Sequence, residues 1–394
     1  IKYGGKGDKV HMNIQMQVCG LIIILLILYF YKRQETVGLY TEMLFRRAAY
    51  MCIGCLVLDI LSVIFIMGRS MLPDLLVRGE CKLYLASLVG TGYAALTYAC
   101  ADAFGLMQVN RFIKKMGIAA AAVSVILFLL PIGIYHEGRT VYTYGPACVA
   151  TYIGVVLLII ATLVYTAKRG NRMNPRRRRA IRTWMGIWLA AAVVQFFNSG
   201  MLLVGYASAL GIVILFFELE NPEANLDRST GFFNARAFTD YVKYKYDSKN
   251  KGCCLIISIE NAHSSDIRIE HMEDILAEVT DFISRIPETK RFKTDEKEFS
   301  LAFESREQME RAYTIVGNRF QEEWLAGIEN VNPVSLQPYY LLVPDAKVAG
   351  NAEEMLGYIK YFRAHSMDNP EEHTLAIDAD SVAKKRERDA MLGT

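Results

Sequence analysis

Seven stretches of this chain are apolar for long enough to cross a bilayer, and all of them fall in its first 217 residues: 14–31, 48–67, 83–107, 116–134, 148–167, 183–198 and 201–217. A helix rises about 1.5 Å per residue, so about 20 apolar residues match the hydrocarbon thickness. Runs of that length exceed what the core of a water-soluble domain takes, and 53% hydrophobic residues in 394 is high for one. The pattern predicts an all-α polytopic bundle over 12–217. The last two stretches are separated only by Asn198-Ser199-Gly200, so they read either as two spans or as one broken helix.

Charge orients the bundle. The connections at 32–47, 108–115 and 168–182 carry Lys32, Arg33, Arg46, Arg47, Arg111, Lys114, Lys115, Lys168, Arg169, Arg172, Arg176 to Arg179 and Arg182. The opposite connections hold only Arg69, Arg78, Lys82 and Arg139. Positive loops stay in the cytoplasm, which puts the N-terminus outside and everything after Phe217 inside. The net charge of +3 is thereby a topology signal, and nothing in it points to nucleic acid. Arg176 to Arg179 read as a stop-transfer anchor or as a contact for anionic lipid.

Ionisable side chains at membrane depth are costly and are candidates for function. Asp59 and Asp102 qualify, with no Lys, Arg or His at matching depth. They read as sensor residues for a small-molecule signal or as acceptors for nearby Ser, Thr and Tyr; Gln195 and Asn198 read as hydrogen-bonding links between helices. A transporter would carry the function in the same two aspartates, but its related halves and broken helices are not apparent. Of the eight cysteines, Cys81 and Cys148 stand at outer helix ends, where a disulfide is a candidate and a chance placement the alternative.

Residues 1–11, with Gly4-Gly5-Lys6-Gly7-Asp8-Lys9 ahead of Met12, read as a non-native leader. A short linker over 218–226 contains Pro222, which disfavours a straight helix through it. Beyond it the pattern is α/β: helix at 234–247, the buried strand Cys253 to Ile259, helix at 270–286, an alternating strand through Phe299, Leu301 and Phe303, helix at 305–325, strand at 338–343 and helix at 352–365.

The segment Leu226-Asp227-Arg228-Ser229-Thr230-Gly231-Phe232-Phe233-Asn234-Ala235-Arg236-Ala237-Phe238 opens this domain, and Asp295-Glu296-Lys297-Glu298-Phe299 follows about 68 residues later. Together they resemble the GGDEF (diguanylate cyclase) family with a degenerate signature motif, over about 227–378. The resemblance implies a ferredoxin-like, nucleotidyl-cyclase-like fold in the cytoplasm of a bacterium, beneath the inner membrane. Segment 379–394 resembles the start of a linker helix to an EAL phosphodiesterase domain, as in the front part of a GGDEF–EAL tandem protein.

In that family two facing domains each hold GTP, and a divalent cation held by carboxylates activates the attacking hydroxyl. Mapped onto this chain, the ligand positions are Ser258 and Lys297, with Glu260 next in the first motif and Glu298 retained in the second. Asp295 and Glu296 replace the two turn glycines that let backbone approach phosphate. The guanine contacts map to Asp266 and Asp274, a weak nucleotide site, and the family's phosphate-contacting Lys falls near His365. No catalytic residue, metal or cofactor is expected; Mg²⁺ and GTP enter only if the chain is an active cyclase. The resemblance thus implies a homodimeric membrane signalling protein of cyclic-di-GMP type whose inactive domain relays to a phosphodiesterase. An active cyclase and a transporter with a regulatory domain are the alternatives.

Overall fold

The computed structural model describes residues 14–101, 106–137, 140–168, 173–198, 201–247, 252–259, 269–324, 334–345, 348–368 and 373–392, so the expected leader lies outside them. The chain divides into two compact units: 1–36 with 40–222, and 37–39 with 223–394.

The first unit contains α1 (Gln15–Arg33), α2 (Tyr40–Met67), α3 (Asp74–Cys100), α4 (Leu106–Leu129), α5 (Pro146–Lys168), α6 (Pro175–Phe197) and α7 (Leu203–Leu215). α7 runs into a π-helical turn, Phe216–Glu220. Among the described residues six helices are long and apolar enough to cross a membrane: α1, α2, α3, α5, α6 and the segment Leu203–Asn225. The two last stretches therefore form separate helices. They pack on each other, with Trp188 Nε1 donating to Val204 O at 3.2 Å and Val204 N donating to Gln195 Oε1 at 2.9 Å.

The fourth stretch, 116–134, begins inside α4 and runs past its end. Its helix ends at Leu129, ahead of Pro131, and Arg111, Lys114 and Lys115 occupy its other half. Over its 24 residues α4 rises about 36 Å, enough for a hydrocarbon core of about 30 Å. Past Pro131 the chain forms an antiparallel hairpin instead, β1 (Gly133–Glu137) with β2 (Thr140–Tyr144).

The bundle is packed inside out relative to a soluble protein. Ile22, Leu25, Leu26 and Phe30 on α1 and Ile153, Leu157 and Ile160 on α5 are exposed, whereas Gln17, Asp59, Thr162 and Ser208 are fully buried. Lipid is the solvent in which that arrangement costs least. Thr91, Thr151, Thr162 and Ser208 donate to carbonyls four residues back, so these hydroxyls need no outside partner.

The second unit contains β3 (Phe233–Asn234), α8 (Ala235–Asp247), β4 (Cys253–Ile259), α9 (Ile269–Ser284), β5 (Lys290–Asp295), β6 (Glu298–Phe303), α10 (Arg306–Phe320), β7 (Pro338–Val343), α11 (Ala352–Asp368), β8 (Thr374–Ala376) and α12 (Ala379–Leu392). Its sheet has the order β3-β5-β6-β4-β7-β8. The central four strands, β5-β6-β4-β7, are antiparallel to one another and follow the chain as βαββαβ, the ferredoxin-like arrangement, and β3 and β8 add to its edges in parallel.

β4 explains why its sequence is an unbroken apolar run. Leu255, Ile257 and Ile259 face a core with Ile275, Val279, Met309 and Val316 of α9 and α10, and Cys254 and Ile256 face a second core with Phe238, Tyr358 and Phe362 of α8 and α11. Side chains alternate across a strand, so a strand covered on both faces is apolar throughout. Val37 is buried in the second of these cores. So is Val382 of α12, and Arg386 of that helix pairs with Glu354 of α11 at 2.8 Å.

Candidate functional site

The signature segment builds a turn. Asp227 Oδ1 accepts from Ser229 Oγ at 2.6 Å, Thr230 N at 3.0 Å and Thr230 Oγ1 at 2.8 Å. Burial pushes the Asp227 carboxyl up, and these hydrogen bonds outweigh it, holding the group below the usual carboxylate range. Gly231 follows at φ +72°, where a Cβ would be strained. Asn234 Oδ1 then accepts from Ala237 N at 3.0 Å and caps α8. The motif residues here are structural.

Ser258 at the end of β4 is directly opposite Glu298 at the start of β6. The two-residue turn Glu296-Lys297 joins β5 to β6, and Lys297 O accepts from Ile259 N at 2.9 Å, so the Ser258 and Lys297 positions lie side by side. Glu298 is 5% exposed. Its Oε1 accepts from Thr294 Oγ1 at 2.6 Å and Arg363 Nη1 at 2.9 Å. Its Oε2 accepts from Ser258 Oγ at 3.1 Å and Arg363 Nη1 at 3.1 Å. A carboxylate offers about four acceptor directions, and here four contacts use them. Arg363, on α11, brings a permanent positive charge to a place where a cation would otherwise be needed.

Lys293, on β5, lies with Nζ 3.8 Å from the centroid of the Phe299 ring. Burial lowers its pKa to about 8 against the opposing pull of Asp227, Asp295, Glu296 and Glu298. Asp295 and Glu296 are exposed, and Asp295 Oδ1 accepts from Glu296 N at 2.8 Å. Asp274 is exposed on α9 and shares no hydrogen bond or ion pair with Glu298 among the described residues. Glu260 and Asp266 lie outside the described residues, as does the side chain of His365.

In the first unit Asp59 is fully buried. Its Oδ2 accepts from Gln17 Nε2 at 3.2 Å, and its Oδ1 has no partner. Gly205 of α7 permits the close approach, since a Cβ there would fall 3.1 Å from Asp59 Oδ2. Asp102 lies outside the described residues. The disulfide expected between Cys81 and Cys148 is not formed: both thiols are free and buried, and Cys148 Sγ turns to Thr143 Oγ1 at 3.3 Å.

The arginine run holds a residue that loop charge alone does not single out. Arg177 is 6% exposed, donates to Tyr98 O at 2.8 Å and lies over the Tyr98 ring at 4.4 Å. Tyr98 OH in turn donates to Glu220 Oε1 at 2.5 Å, linking α3, α6 and the π-helical turn after α7. Its basic neighbours Arg176, Arg178 and Arg179 remain near the lipid or solvent face, so one of the four is internal and the run is not uniform.

No family model matches the chain, and no curated protein matches it. Among solved structures it is similar to the FimX GGDEF domain from Pseudomonas aeruginosa, with 13% identity over 34% of this chain and 87% of that one, at a TM-score of 0.29.

Proposed function

We propose that the chain is a membrane signalling protein of cyclic-di-GMP type in which a GGDEF-like domain no longer makes the dinucleotide and instead relays, as a homodimer, to a phosphodiesterase domain. The observation that carries this reading is the saturated Glu298. Where the family resemblance calls for carboxylates around a divalent cation, Ser258 and Lys297 supply a hydroxyl and an ammonium, and the one retained carboxylate is committed to Arg363. Lys297 opposes a cation by roughly 4 kcal/mol per unit charge at ~4 Å and an effective dielectric of ~20. These residues do not fit Mg²⁺.

The loop charges favour a bacterial inner-membrane protein with the N-terminus outside and the second unit cytoplasmic. Purified full-length chain incubated with GTP and Mg²⁺ or Mn²⁺ should give no cyclic-di-GMP by mass spectrometry. Product above a protein-free control overturns the proposal.

A further inference from the structure

A cavity of about 200 Å³ lies at the end of the bundle that carries the β1–β2 hairpin. Tyr84 of α3, Tyr142 and Tyr144 of β2, Tyr152 and Thr151 of α5 and Gln195 of α6 contribute to its wall, and none of its lining residues is charged. Tyr84 is the link between this space and a deeper polar cluster. It is 5% exposed, and its hydroxyl lies beside the Asp59 carboxyl without meeting hydrogen-bond geometry.

That cluster is made of buried oxygens that meet no hydrogen-bond partner in good geometry. Gln17 Oε1, Asp59 Oδ1, both carboxylate oxygens of Glu80 and the Tyr84 hydroxyl are all buried and unpartnered. Glu80 precedes Tyr84 by one helical turn, so the two share a face of α3, and Glu80 is close enough to Asp59 for the carboxylates to repel. Among the described residues, the Lys and Arg side chains of this end are engaged elsewhere: Arg69 and Arg78 bind Asp74, and Lys82 donates to Phe128 O at 2.7 Å. Buried acceptors without partners are costly, and buried carboxylates without a counter-charge more so.

What such a place lacks is a positive charge that donates hydrogen bonds. Tyrosine rings on the cavity wall offer faces to a cation, and carboxylates behind Tyr84 offer charge and acceptors. We infer that this cavity is a ligand site for a small organic ammonium, seated among Tyr84, Tyr142, Tyr144 and Tyr152 with its charged head directed past Tyr84 toward Asp59 and Glu80. The inference deepens the receptor side of the function proposed above by naming the chemistry of the signal. It does not depend on whether the second unit makes cyclic-di-GMP.

The test uses the full chain in lipid nanodiscs, phenethylammonium as probe and phenethyl alcohol as its uncharged counterpart, with melting temperature and titration calorimetry as readouts. Phenethylammonium should bind saturably and raise the melting temperature, with an affinity about tenfold or more above that of the alcohol. Glu80→Gln should abolish that preference for charge, and Tyr84→Phe should weaken it while leaving the unliganded melting temperature close to the parent's. Equal binding of alcohol and ammonium would make the cavity merely apolar and overturn the assignment. So would no binding of either to the parent chain, or an undiminished preference in both folded variants. Should Glu80→Gln fail to fold, the comparison of the two probes on the parent and on Tyr84→Phe still decides. Cyclic-di-GMP formation is a separate readout, so failure here leaves the cyclase question untouched.

Discussion

Two buried carboxylates, one in each unit, are treated in opposite ways. Glu298 meets Ser258, Thr294 and Arg363, which occupy both of its oxygens. Asp59 meets one amide at 3.2 Å, keeps an unpartnered oxygen and has no ion pair among the described residues. Burial of a charge is tolerated when the fold supplies the counter-charge, and an unsupplied one marks a place where something from outside completes the site. The second unit is thus closed at the position where the family resemblance calls for chemistry, and the first is open where it calls for none.

The largest effect should come from breaking the closed site. Arg363→Met leaves Glu298 buried without its cation and should cost about 2–4 kcal/mol, at the lower end of buried-pair losses because Arg363 is partly exposed. Hydrogen exchange at the β4 and β6 amides reads this locally. Combining it with Glu298→Leu should recover most of the loss, since the orphaned charge is then gone; no recovery would mean that the pair is not the reason for the cost.

Next in size is a pH effect at Lys293. Its folded-state pKa, lowered to about 8 by burial, lies below that of the unfolded chain at about 10.4. Between these values the unfolded state holds a proton that the folded state has released, so stability of the second unit should rise as pH rises from about 8 toward 10. Denaturation midpoints across that range check it, and Lys293→Met should flatten the slope. A midpoint that falls or stays level in the parent contradicts the burial of Lys293 as described.

Asp59→Asn should shift the bundle's stability by less than about 1 kcal/mol, because no cation is orphaned and an amide can still pair with Gln17. Steric unfolding of the full chain in mixed detergent measures this, and a loss as large as that for Arg363→Met would erase the contrast between the two sites. Smallest of all is Asp281→Ala. Its partner Arg285 and Asp281 itself are both largely exposed, so the ion pair between them should be worth no more than about 0.5 kcal/mol by the same hydrogen-exchange assay.

The parts legible in the sequence are those carried by long or continuous patterns. Cys253 to Ile259 reads as a buried strand because both its faces are covered, and Leu226 to Phe238 reads as the opening of the domain because Asp227, Thr230 and Gly231 each have a fixed geometric job. β5 escapes that reading. Lys290, Arg291, Lys293, Thr294 and Asp295 surround the single buried apolar residue Phe292, and the strand is held by backbone pairing to β6 rather than by an alternating face. The fourth apolar stretch misplaces only its end, since a hydrophobic count does not register that the helix stops at Leu129, ahead of Pro131, and a hairpin follows.

Of the candidate site, sequence places Ser258, Lys297 and Glu298 but not Arg363, which is 65 residues further on and reaches Glu298 only through the packing of α11. Nor does it single out Arg177 among four consecutive arginines, or Glu80 among the charges at the start of α3. In each case the informative quantity is which way a charged side chain points. Composition and spacing do not carry that; the helix face and its neighbours do.

A second unit whose site is filled by its own Arg363 takes no metal–nucleotide complex. Titration calorimetry of the full chain with GTP in the presence of Mg²⁺ tests it most directly. No saturable, Mg²⁺-dependent heat is predicted. Saturable binding that disappears when Mg²⁺ is chelated would contradict it and would return Ser258, Lys297 and Glu298 to the status of a working site.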